Sequence, residues 1–96
     1  MNTPHIDPRS LALFLSVVDG GSLTAGARGV HLSLAAASTR LRELEQQLGV
    51  TLLQRSRRGV ALTAAGQELL PHARALLLEA ERLCHALAPY SRGLRG

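Results

Sequence analysis

Residues Ser22 to Val50 read SLTAGARGVHLSLAAASTRLRELEQQLGV, and this stretch decides the fold. It divides into two helices at a tight break. Ser22 follows Gly20-Gly21 and is placed to cap a helix with Leu23, Ala27 and Val30 on one face. His31-Leu32 interrupts that pattern, and Ser33 is a second cap because its hydroxyl can accept from the free amides of the next turn. The second helix carries Ala37, Leu41, Leu44 and Leu48 on its apolar stripe and stops at Gly49. Two short helices joined by such a turn, the second longer and more polar outside, form the helix-turn-helix pattern.

At ~100° per residue the second helix turns Ala35, Ser38, Thr39, Arg42 and Gln46 away from its apolar stripe. Small and hydroxyl side chains near its N-terminus let a backbone approach closely, and Arg42, flanked by Arg40, supplies charge further along. A helix entering a DNA major groove needs this order: short groups for base edges, then cations for phosphate. A helical hairpin with a merely solvated polar face is the plainer reading of the same residues.

Working outward, Asp7-Pro8 predicts the start of a first helix, with Asp as N-cap and Pro where its missing N–H costs nothing. Leu11, Phe14, Leu15 and Val18 then form an amphipathic stripe that ends at Gly20-Gly21 and completes a three-helix core. Gly26 and Gly29 lie inside the next helix, where close packing is the expected reason for them. After Gly49 the period shortens. Val50 to Leu53 and Val60 to Leu62 flank Ser56-Arg57-Arg58-Gly59, a two-stranded hairpin with a basic tip. Beside a helix-turn-helix this hairpin is a wing, and Arg55, Arg57 and Arg58 would meet sugar-phosphate backbone or minor groove.

Thr63 can cap a last helix running to about Ala88 and ended by Pro89, with Pro71 expected to kink it or loosen its first turn. Leu69, Ala73, Leu76, Ala80, Leu83 and Leu87 are spaced as a heptad seam along it. About 25 residues of helix span ~37 Å, more than so small a core can cover. Pairing with a second copy is therefore expected, against the alternative of a terminal helix folded back on the domain. The organisation predicted is a mainly α chain. It has a winged helix-turn-helix over residues 7–62 (helix-turn-helix 22–48, wing 50–62), a linker and dimerisation helix over 63–89, and an Arg/Gly-rich tail over 90–96.

Composition fits this outline. The 96 residues are 46% hydrophobic but hold one Phe, one Tyr and no Trp, so the core must be Leu, Val and Ala, which suits helices. All eleven cations are Arg, the side chain that forks onto phosphate or guanine. Six of them (Arg28, Arg40, Arg42, Arg55, Arg57 and Arg58) face only Glu43 and Glu45 in the central stretch. The whole net charge of +4 therefore sits in the helix-turn-helix and wing, which points to a polyanionic partner. The few acids, Glu43 and Glu45 included, read as helix-surface partners of Arg. A lone Cys84 excludes an internal disulfide and suits a reducing cytoplasm; no apolar run suggests a signal peptide or a membrane span. The four His have no ligand spacing, and no nucleophile–base pair, phosphate loop or carboxylate pair can be assembled, so neither enzymatic activity, a metal nor a cofactor is expected.

Three segments, LALFLSVVDGGSLTAGA, LRELEQQLGVTLLQR with the helix from Ser33 before it, and RRGVALTAAGQELLPHARALL, together resemble the N-terminal DNA-binding region of LysR-type transcriptional regulators. The match runs without a gap from Leu11 to about Leu77, and Leu62 to Gly66 is its most telling part. The resemblance implies a winged helix-turn-helix that binds bacterial promoter DNA as a dimer through its linker helix. It also implies DNA contacts from Ser33, Leu34, Ala35, Ser38, Thr39, Arg42, Arg55, Arg57 and Arg58. Family recognition helices usually open Ser-Gln-Pro with Ser-Arg one turn later, whereas Leu34, Ala35 and Thr39 stand here in place of Gln, Pro and Arg. The family also continues into an effector-binding domain, which this sequence lacks, so no small-molecule ligand is expected within it. A coiled-coil protein that pairs with full-length regulators and titrates them is the alternative function.

Overall fold

The computed structural model describes residues 5–94. Four helices, α1 (Pro8–Gly20), α2 (Leu23–Gly29), α3 (Leu34–Leu48) and α4 (Ala64–Leu87), and a two-stranded antiparallel hairpin, β1 (Leu53–Ser56) and β2 (Gly59–Leu62), make up the chain. This is a winged helix-turn-helix followed by a long helix, as expected. Each boundary has a local cause. Asp7 accepts from the Arg9 amide at 2.9 Å, and Ser22, Ser33 and Thr63 accept from the amides of Ala25, Ala36 and Gly66 at 3.0, 3.1 and 3.0 Å. Gly21 and Gly49, both left-handed, close α1 and α3.

The core gathers Leu11, Leu13, Phe14 and Val17 from α1, Leu23 and Ala27 from α2, and Ala37, Leu41 and Leu44 from α3. Leu52, Leu53 and Ala73 complete it. α1 is buried on more of its circumference than one stripe predicts: Leu13 and Val17 are fully enclosed, while Leu15 and Val18 are half-buried. The reason is position, since α1 packs against α2 and α3 on one side and α4 on another. The expected role of the α2 glycines holds. A Cβ on Gly26 would run into the backbone of Val17, and one on Gly29 into the Ser16 hydroxyl.

Two expectations change. The first wing strand begins at Leu53 rather than Val50, because the Val50–Leu52 segment pairs with no strand and its last amide is bound elsewhere. The first turn of α4 is capped, not loose, and the helix runs through Pro71. The Gln67 carbonyl that Pro71 cannot serve lies between exposed residues, where water can reach it. After α4, Ala88–Leu94 forms a 3-10 segment, while Arg95 and Gly96 lie outside the described residues.

The radius of gyration is 15.3 Å, against roughly 12.5 Å for a compact chain of this length. The distal half of α4 accounts for the excess. From Leu78 to Tyr90 every residue is exposed, with no core beneath it.

Candidate nucleic-acid interface

The turn between α2 and α3 comprises Val30 to Ser33, and His31 holds it with φ of 60°, a left-handed conformation in a residue other than glycine. α3 then presents the predicted face. Leu34, Ala35, Thr39 and Arg42 are exposed, and Ser33 is occupied as the cap. Ser38 departs from the expectation. It is half-buried and turned towards the wing, where the Arg55 Nη2 donates to its Oγ at 3.5 Å. This single side-chain contact links the wing's first strand to α3.

The wing pairs Leu53 with Leu62 and Ser56 with Gly59, so Arg57 and Arg58 form its turn, both exposed. The Ser56 hydroxyl accepts from the Arg58 amide at 3.2 Å and tightens that turn. Gly59 has φ of 116°, and a Cβ there would collide with the Gly21 carbonyl. That same carbonyl accepts from the Val60 amide at 3.3 Å, tying the wing to the α1–α2 junction.

Of the six arginines in the central stretch, Arg40 alone is paired, lying 3.5 Å from Asp7. Arg9 also binds Asp7, and its hydrogen bonds hold that carboxyl down to about 2. Among the described residues, Arg28, Arg42, Arg55, Arg57 and Arg58 have no carboxylate within 4.0 Å. Four of these five lie on α3 or the wing, so the positive field belongs to that side.

Sequence reasoning missed the groups that fix the wing to the helix. Glu45, read as a surface partner of Arg, instead accepts from the amides of Leu52 and Leu53 at 2.7 and 3.3 Å. The Thr63 hydroxyl donates to the Thr51 carbonyl at 2.5 Å and lies 3.2 Å from the Leu52 carbonyl while it caps α4. A Cβ on Gly66 would strike the Leu52 carbonyl. Only the Leu62 to Gly66 resemblance hinted at this arrangement.

The seam of α4 divides. Ala73 has no exposed surface and Leu69 packs on the core, so both serve the domain and neither forms a free dimer face. The physical reason is that the proximal half of α4 covers α1. Arg74 forks onto Asp19 of α1, with contacts of 2.9 and 3.5 Å, and those hydrogen bonds hold its carboxyl below the usual carboxylate range. Beyond that tie Leu76, Leu83 and Leu87 are 56%, 57% and 54% exposed, with Ala80 between them. No group of His, Cys, Asp and Glu among the described residues is arranged to hold a metal ion, and no described helix is long and apolar enough to cross a membrane.

Residues 8–67 match the family described as "Bacterial regulatory helix-turn-helix protein, lysR family". The chain belongs to the LysR family. Among LysR relatives, the HTH-type transcriptional regulator ClcR of Pseudomonas putida is 45% identical over 69 residues, which cover 72% of this chain and 24% of ClcR. The RuBisCO operon transcriptional regulator of Allochromatium vinosum is 37% identical over 92 residues, 93% of this chain and 30% of that protein. The chain thus spans less than a third of the length of these regulators. Two solved LysR-type domains share its shape. The CbnR DBD–DNA complex gives a TM-score of 0.83 at 37% identity, covering 91% of this chain and 100% of that one. The BenM DBD/catB site 1 DNA complex gives 0.85 at 26% identity, covering 91% and 98%.

Proposed function

We propose that this LysR-type domain binds promoter DNA as a homodimer. α3 enters the major groove, the wing lies on backbone or minor groove, and the distal half of α4 pairs with that of a second copy. The observation that carries the reading is the Arg55–Ser38 contact, which sets a wing bearing three carboxylate-free arginines beside the exposed face of α3. In the roles proposed, Ser33, Leu34, Ala35, Ser38 and Thr39 meet base edges or the adjoining backbone. Arg42, Arg55, Arg57 and Arg58 meet phosphate. The solved CbnR and BenM domains, of the same shape, are bound to DNA.

Support for pairing comes from α4. Leu76, Leu83 and Leu87 form an apolar row that no part of its own domain covers. Leu76 also borders a groove of about 410 Å³ lined by Ile6, Leu48, Val50, Leu52 and Leu69, so apolar surface continues from the helix onto the domain. Contiguous apolar surface of this kind marks an association site.

The test is binding of a labelled duplex across a salt series, with sedimentation of the free chain. Six or more phosphate contacts per dimer predict an affinity loss of about 10³-fold or more between 50 and 200 mM salt. A dimer that ignores duplex DNA at every salt concentration would overturn the reading in favour of a protein that pairs with and titrates other regulators.

A further inference from the structure

We propose that the leading end of α3 reads thymine methyl groups, so that half-sites are selected by where thymines stand in the major groove and hydrogen bonds to base edges contribute little. The inference rests on the DNA-binding reading above and specifies what that site recognises. Leu34, the first residue of α3, is 51% exposed and takes no part in the core cluster. Ala35, Ala36 and Thr39 are exposed beside it, so the tip of the helix is a small apolar surface carrying one further methyl.

Two of the three hydroxyls at this tip are already engaged as acceptors, and of the three only Thr39 keeps a hydroxyl without a partner among the described residues. Ser33 Oγ accepts from the Ala36 amide at 3.1 Å, and Ser38 Oγ lies 3.5 Å from Arg55 Nη2. Bidentate reading of guanine needs Arg or Lys, and that of adenine needs Asn or Gln; none of these occurs from Ser33 to Thr39. The first long polar side chain on the outward face is Arg42, about 12 Å along the axis from Leu34.

Charge complementarity identifies the occupant. Arg42, Arg55, Arg57 and Arg58 surround this side of the domain without carboxylate partners, which suits a polyanion and not an apolar protein surface. Within the major groove, the apolar feature that distinguishes the four base pairs is the thymine 5-methyl group. An exposed Leu followed by two Ala has the size and chemistry to cover it. The edges of the other bases offer these side chains nothing to bind.

The experiment begins with a duplex selected from a random library by the wild-type chain. That duplex is then remade with deoxyuridine replacing thymidine one position at a time. Uracil keeps the pairing and the O4 acceptor and loses only the methyl group. Affinity is expected to fall about fourfold at each contacted position, the value of one buried methyl, and at only a few positions per half-site. Leu34→Ala should abolish the uracil effect at its own position while leaving thermal unfolding unchanged, because the side chain lies outside the core. Equal affinity for the uracil duplex at every position, with duplex binding otherwise intact, would overturn the proposal alone. Failure to bind any duplex would overturn the parent reading as well.

Discussion

The Glu45 carboxylate on α3 accepts from the Leu52 amide at 2.7 Å and holds the root of the wing to the recognition helix. The Leu52 carbonyl, in turn, accepts from the Thr63 amide at 3.0 Å. One buried residue therefore joins α3, the wing and α4. The angle of the wing to α3 depends on this junction, and so does the placement of its arginines.

Glu45→Ala leaves the Leu52 amide without its acceptor in a partly buried place. The expected cost is about 1–3 kcal/mol, the penalty for an unsatisfied buried donor. Glu45→Gln keeps an acceptor and should lose less. Urea denaturation of the three proteins checks the order; equal midpoints would show that the junction does not depend on this side chain.

Gly66→Ala and Gly26→Ala should each destabilise by about 1–3 kcal/mol, because the added methyl meets backbone that cannot turn aside. Gly29→Ala should cost less: its methyl meets only the Ser16 hydroxyl, which can rotate away. A midpoint for Gly29→Ala as low as that of Gly66→Ala would contradict the packing described.

His31 occupies a left-handed conformation in the turn before α3. His31→Val, with a β-branched side chain, should lower stability by about 1–2 kcal/mol, whereas His31→Gly should leave it unchanged or slightly higher. Thermal unfolding of the pair separates these outcomes.

Arg57 and Arg58 stand in the wing turn, exposed and free of carboxylates. Replacing both with Ala should weaken binding to all duplexes alike and reduce the salt slope by about one per lost phosphate contact. Folding should be unaffected. An unchanged slope in anisotropy titrations would remove the wing from the interface.

Leu76→Asp and Leu83→Asp place a charge on apolar surface that is more than half exposed in the single chain. Each should abolish self-association, since an unpaired charge at an apolar interface is strongly unfavourable, while circular dichroism stays that of the folded domain. Sedimentation equilibrium decides it: a dimer that persists in both variants would exclude the distal half of α4 as the seam.

The helix boundaries were legible in the residues themselves. Asp7, Ser22, Ser33, Thr63 and Gly49 bound helices because capping is a bond to an amide or carbonyl within a few positions, and the sequence spells that bond out. The helix-turn-helix, the basic wing turn and the charge concentrated between Arg28 and Arg58 followed from pattern and spacing, and the family from the resemblance of three segments. What the residues did not disclose involves partners far apart in the chain. Glu45 seven residues from Leu52, Arg55 on Ser38, Arg74 on Asp19 and Val60 on Gly21 are contacts that exist only once the elements have docked. The heptad seam shows the division most clearly. Its periodicity runs unbroken from Leu69 to Leu87, and periodicity records that a face is apolar without recording what will cover it. Only the tertiary structure decided that the domain's core takes in Ala73 and half-buries Leu69, and that Leu76, Leu83 and Leu87 extend past the domain into solvent.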